Sequence, residues 1–140
     1  MDSKIKSDSE KLLELKEVFA LFSDPLDKIA QLIDIGKSSH HLTEKEKSEI
    51  NLIKGCTSKA WMLIVESSDK LYSIKTDSDS HIVSGLLYLF ALSINNKSKS
   101  YIDKINGIEL LNSIGLGGHI TSQRTNGFIS AVETLKKRII

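Results

Sequence analysis

Apolar residues in this chain recur first at helical spacing, then in short blocks, then at helical spacing again. Between positions 10 and 22, Leu12, Leu15, Phe19 and Phe22 share one face of a 3.6-residue period, which predicts an amphipathic helix. Ser23, Asp24 and Pro25 end it and start a second helix, with Asp24 as N-cap and Pro25 at the first helical position. Leu26, Ile29, Ala30 and Ile33 form the predicted buried stripe of that helix, and Gly36 its C-terminal cap. Residues 37–49 are polar and predict a loop, with a capping box from Thr43 to Glu46. Leu52 and Ile53 predict a short strand. The nearly continuous apolar run over 60–65 predicts a strand covered on both faces. A turn at Ser67, Ser68 and Asp69 then leads to an alternating return strand over 71–76.

The C-terminal half returns to helical spacing. Asp77 and Asp79 are expected to open a long helix, because carboxylates suit the positive end of its dipole. Ile82, Val83, Leu86, Leu87, Phe90 and Ile94 form its predicted stripe. Residues 95–99 predict a loop, and 101–114 one or two short helices broken near Asn106 and Gly107. The glycine cluster at 115–118 ends that segment. Thr121 and Ser122 cap a last helix that buries Phe128, Val132, Leu135 and Ile139. The predicted class is α+β: a small antiparallel sheet of two or three strands flanked by N- and C-terminal helices. One domain over residues 1–140 is expected, with residues 1–9 frayed.

Composition narrows the partners. A chain of 140 residues, 40% hydrophobic and 26% charged, can bury a core without disulfide or metal staples. A net charge of +1 offers no basic stripe for nucleic acid. No apolar run approaches the ~20 residues of a membrane span, and the polar N-terminus lacks a secretory signal. The single cysteine makes no internal disulfide, so a reducing cytosol is the expected compartment.

That cysteine is the main chemical candidate. A lone free cysteine is more often a small buried hydrophobe than a nucleophile. The neighbours of Cys56 argue otherwise: flexible Gly55 before it, polar Thr57 and Ser58 after it, and Lys54 and Lys59 close enough in sequence to favour a thiolate. Arg124 is the second candidate. It falls in the first turn of the last helix, where a cation opposes the dipole, so it is read either as the partner of an anion or as a solvated arginine. The anion would be Asp77, Asp79 or the sulfur itself. Asp77 and Asp79 are also readable as an acid/base pair, although helix capping explains them more simply. Trp61 is read as a core anchor. His40, His41, His81 and His119 lack metal-ligand spacing and are read as surface or capping residues, and no metal or cofactor site is expected.

Three segments in order resemble the SufE family of sulfur acceptors for cysteine desulfurases. They are Asn51, Ile53, Gly55, Cys56, Ser58 and Trp61; then Asp77, Asp79, Ile82, Val83, Gly85 and Leu86; then Thr121, Arg124, Asn126 and Gly127. Leu32, Ile33, Gly36 and Lys37 are similar to the family's second helix end. The chain departs from the family with Ser39-His40-His41 in place of Leu-Pro, and with Lys59-Ala60 in place of Gln-Val. The resemblance implies a fold related to that of the iron–sulfur scaffolds of the IscU type. It implies a cytoplasmic carrier without a cofactor of its own and without independent catalysis. Cys56 would take persulfide sulfur from a pyridoxal-phosphate cysteine desulfurase of the SufS/CsdA type, stimulate that enzyme and pass sulfur on for iron–sulfur cluster assembly. Asp77, Asp79 and Arg124 would support the cysteine loop and its thiolate. The alternative is an allosteric activator of a desulfurase that carries no sulfur. A cluster scaffold would need several thiolate ligands, which one cysteine per chain does not supply.

Overall fold

In a computed structural model, which describes residues 7–39, 41–55 and 58–139, Ser7 caps the first helix by accepting the Glu10 N–H at 3.2 Å. Helix α1 then runs Asp8–Leu21. Ser7, Asp8 and Ser9, placed in the expected frayed segment, form the cap and first turn of this helix. Asp8 helps fix that start, because its Oδ2 accepts the Asn95 amide at 3.0 Å. Phe19 is fully buried on the predicted stripe, with Leu12 and Leu15 packed against the core.

Helix α2, Pro25–Ser38, starts where Asp24 accepts the Leu26 N–H at 2.9 Å, as its Asp-Pro pair predicts. Its buried face differs from the predicted stripe. Leu26 is 75% exposed and Ala30 is exposed, whereas Lys28, Leu32, Ile35 and Gly36 are buried. Gly36 is not the cap either, since the helix continues past it to Ser38. The reason lies in the crossing with α3, His81–Ile94. A β-carbon on Gly36 would come 1.9 Å from the His81 carbonyl oxygen, and one on Gly85 would come 2.4 Å from that of Leu32. Two glycines let the backbones close, and α2 turns that face inward. Lys28 follows it and donates from Nζ to the Gly115 carbonyl at 2.7 Å.

The sheet is antiparallel in the order β1-β2-β3. Strand β1, Ala60–Glu66, pairs with β2, Leu71–Ser78, from Ala60 opposite Ser78 to Glu66 opposite Tyr72. Only Ala60, Trp61 and Met62 of β1 are buried, so the two-sided cover predicted for the whole strand holds for its first half. Beyond it β1 is an edge strand and its side chains turn outward by Val65. Leu52 and Ile53 form an isolated bridge, Leu52 to Trp61, after a 3₁₀ turn at Glu49–Asn51. The stretch expected to be a loop after α3 holds a third strand, β3, Lys97–Ser98. Asn96 makes the tight return possible with φ of 66° and an N–H bond to the Tyr72 carbonyl at 2.7 Å.

Helix α3 is central. All residues from Ser84 to Ile94 except Tyr88 are buried, which fits a helix enclosed on every side rather than one with a single stripe. It packs on α1, α2 and β2, and on the last helix through an edge-on Phe90–Phe128 contact with ring centroids 5.7 Å apart. Short helices α4, Lys99–Asp103, and α5, Gly107–Ile114, follow as predicted, with Asn106 capping α5 and Gly115 ending it at φ of 97°. Helix α6, Ser122–Arg138, is capped by Thr121 and buries Phe128, Val132 and Leu135.

The glycine crossing is open to test. Gly36→Ala or Gly85→Ala is expected to lower unfolding stability in urea by about 2–3 kcal/mol, because a methyl there meets backbone that cannot rotate away. Unfolding midpoints equal to the parent's for both variants would contradict this packing.

Candidate functional site

Cys56 and Thr57 lie outside the described residues, so the site is defined by what brackets them. The first stem is Leu52 to Gly55. The Ile53 N–H donates to the Ala60 carbonyl at 2.8 Å, which brings the two stems together. Gly55 has φ of 93°, and a β-carbon there would lie 2.7 Å from Ser130 Oγ on α6. Both the left-handed backbone and the close approach exclude a larger residue. Arg138 Nη2, at the end of α6, donates to the Leu52 carbonyl at 2.8 Å. The second stem is Lys59, whose carbonyl accepts the Asp79 N–H at 3.0 Å and the Ser78 hydroxyl at 2.8 Å. Ser80 completes this corner as the N-cap of α3, accepting the Val83 N–H at 3.3 Å.

Asp77 and Asp79 therefore do not open α3. The serine at position 80 does, and strand β2 runs on through Asp77 to Ser78. Asp77 stands opposite Trp61 in the register and is 2% exposed. Its Oδ1 meets His41 Nδ1 at 3.0 Å and accepts the Ser78 N–H at 2.8 Å. Its Oδ2 accepts the Leu42 N–H at 3.0 Å and lies 3.4 Å from Lys47 Nζ. Burial pushes the Asp77 carboxyl up. The Ser78 N–H, His41, the Leu42 N–H and the Lys47 charge together outweigh that push and hold it below the usual carboxylate range. The Lys47 ammonium also sits 5.4 Å from the centroid of the buried Trp61 ring, a cation–π contact. The capping box at Thr43 and Glu46 is present, each bonding the other's backbone N–H. It shapes the loop that brings His41 and Lys47 to Asp77.

The predicted site residues are thus distributed as follows. Asp77 is a buried hub, and Asp79 is exposed with its backbone on the Lys59 carbonyl. Arg124 is half-buried in the first turn of α6, with its N–H on Thr121 Oγ1 at 3.3 Å. No ion pair among the described residues joins it to Asp77 or Asp79. The sequence does not single out the supporting roles of His41, Lys47, Ser78, Ser130 and Arg138. His41 reads there as a surface residue because its partner is 36 positions away. Arg138 reads as an ordinary cation in a helix's last turn. Among the described residues no group of three or more His, Cys, Asp or Glu side chains could hold a metal ion. No helix among them is long and apolar enough to cross a membrane.

A three-stranded antiparallel sheet under a central helix defines an α+β fold. The same fold is seen in the solution structure of a hypothetical protein from Thermus thermophilus. That match has a TM-score of 0.69 and 14% identity, covering 92% of this chain and 93% of that one. The family model for SufE, described as an Fe-S metabolism associated domain, matches residues 13–139, and the chain belongs to that family. Uncharacterised SufE-like proteins of Rhizobium etli and Rhizobium meliloti are 31% and 30% identical to it, over 85% and 84% of this chain and 82% and 86% of theirs. The sulfur acceptor protein CsdE of Escherichia coli is 25% identical over 86% of this chain and 82% of its own.

The Asp77 hub carries its own pH signature. A carboxyl held below its ordinary value contributes stability above about pH 4 and loses that contribution as acid titrates it in the folded state. Asp77→Asn is expected to cost about 2–4 kcal/mol at pH 7 by stranding buried donors and Lys47. It should also flatten the fall in urea stability between neutral pH and pH 3. A variant with the parent's stability and acid profile would refute the assignment.

Proposed function

We propose that this protein accepts persulfide sulfur on Cys56 from a cysteine desulfurase and delivers it for iron–sulfur cluster assembly. The observation that carries the reading is positional. The chain's only cysteine lies in sequence between two stems held by backbone hydrogen bonds at Ile53 and Lys59, within a chain of the SufE family. The likeness to CsdE, a sulfur acceptor protein by name, supports it.

In the proposed step the Cys56 thiolate attacks the outer sulfur of a persulfide on the desulfurase. The partner's S–S bond breaks, its cysteine leaves as a thiolate, and a new S–S bond forms on Cys56. Nothing is oxidised or reduced overall, and no metal is required. Delivery repeats the exchange, with an acceptor thiolate attacking the outer sulfur now on Cys56. The partners are a pyridoxal-phosphate desulfurase of the SufS/CsdA type and a cluster scaffold, in the reducing cytosol. The protein acts as carrier and activator, not as a stand-alone enzyme. In this reading Asp77 and Asp79 hold the loop's second stem. Arg124, at the start of the helix that backs the first stem, supports the thiolate.

Incubation with such a desulfurase and L-cysteine is expected to add the mass of sulfur at Cys56 and to raise desulfurase turnover. Cys56→Ser should abolish both. No added mass on the parent protein refutes the carrier reading. Stimulation retained by the serine variant would favour an activator that carries no sulfur.

A further inference from the structure

Strand β2 runs on past its short neighbour, and the uncovered stretch of its edge borders a cavity. Strand β3 pairs only with Leu71 and Tyr72. On the other side, the Ser67 N–H on the Leu71 carbonyl and the Asp79 N–H on the Lys59 carbonyl set which β2 residues bond to β1. Alternation from those pairs turns the N–H and C=O groups of Ile74 and Thr76 away from β1. Asn95 Oδ1 takes the Ile74 N–H at 3.0 Å, and beyond Thr76 the Leu42 N–H sits on the Asp77 carboxylate at 3.0 Å. A short window remains between these two closures. In it the Thr76 N–H and the Ile74 and Thr76 carbonyls have no partner among the described residues.

The cavity behind this window has a volume of about 420 Å³. Thr76 is 8% exposed, and its hydroxyl makes no hydrogen bond among the described residues. Every fully enclosed side-chain nitrogen or oxygen among them has a partner, so this hydroxyl opens into the cavity that Thr76 lines. Tyr88, whose hydroxyl also lacks a partner, lines the same space. Leu42, Ile74, Ala91 and Leu92 supply apolar wall. The lining carries both signs of charge, Lys11 and Lys75 with Asp8 and Glu46.

The geometry points to a binding site for a free α-amino acid with an apolar side chain, a function separate from sulfur transfer. In this site the α-carboxylate accepts from the Thr76 N–H and hydroxyl, with Lys11 as its counter-charge. The α-ammonium donates to the unpaired strand carbonyls, with Asp8 as its counter-charge. The ligand's side chain covers the apolar wall. A cavity of this size, with few polar groups set among apolar ones, suits a small molecule. An added strand cannot run through a window closed at both ends. A simple anion would leave the strand carbonyls unpaired, and a group with both a donor and an acceptor end does not.

The test is titration of the isotope-labelled protein with L-leucine, followed by its amide chemical shifts. Saturable shifts are expected at Thr76, Leu42 and Asn95, and they give a Kd. Thr76→Val keeps the side-chain shape without the hydroxyl, and Lys11→Met removes the cation. Each is expected to weaken binding about threefold to tenfold. Lys11 is half-buried on α1, so its variant keeps the proposal testable should Thr76→Val fail to fold. Lys137→Met, outside the cavity, should leave the Kd unchanged. Acetate and methylammonium, each carrying half of the recognised group, should bind more weakly than L-leucine by about tenfold or more. No saturable shift with L-leucine, acetate binding as tightly as L-leucine, or an unchanged Kd in both cavity variants overturns the proposal. The titration involves no desulfurase and no sulfur, so its outcome and that of the sulfur-uptake assay are independent.

Discussion

A carboxylate buried at the end of a strand must be paired, because an uncompensated charge there costs several kcal/mol. Asp77 meets that demand with the Ser78 and Leu42 backbone N–H groups, the His41 ring and the Lys47 ammonium. Three of these four partners lie in the polar segment after α2. The segment is thereby obliged to lie along the end of β2, and Lys47 is carried over the face of Trp61. Since Trp61 is the residue across from Asp77, one charge organises both strands where they border the cysteine loop.

That arrangement requires α2 to end in the right place. Gly36 and Gly85 bring α2 against the start of α3, close enough that a single β-carbon would overlap a carbonyl oxygen. Three residues past the end of the helix the chain has already delivered His41 to Asp77. The core behind this crossing is ordinary aliphatic and aromatic packing around α3. The particular geometry at the site comes from two glycines and one acid.

Local signals in the sequence read well. Asp24 with Pro25, Asn106 before α5, and Thr121 before α6 each cap the helix they announce. The β1–β2 hairpin also falls where alternation and turn residues place it. The failures share a physical cause, contact between distant segments. The inward face of α2 is not legible because Leu26 and Ala30 look as apolar as Leu32, and only Gly85 of α3 decides which face goes in. Asp77 looks like a helix cap because the strand's alternation ends at Thr76 and Asp77, both buried. Of the candidate site, Asp77, Asp79 and Arg124 are legible as candidates in the sequence, and Cys56, the other candidate, lies outside the described residues. Their supports at His41, Lys47, Ser130 and Arg138 carry no pattern of their own.

Sulfur exchange asks a protein for one thiol on a segment that can meet two partners in turn, and for a frame that stays fixed while it does so. The Ile53 and Asp79 N–H groups, bonded to the Ala60 and Lys59 carbonyls, and the Leu42 and Ser78 N–H groups, bonded to the Asp77 carboxylate, form that frame. The most direct measurement is residue-resolved amide hydrogen exchange in the native state. If the frame is rigid, these four amides exchange as slowly as those in the buried first half of β1. Exchange of all four at the rate of exposed loop amides would contradict it.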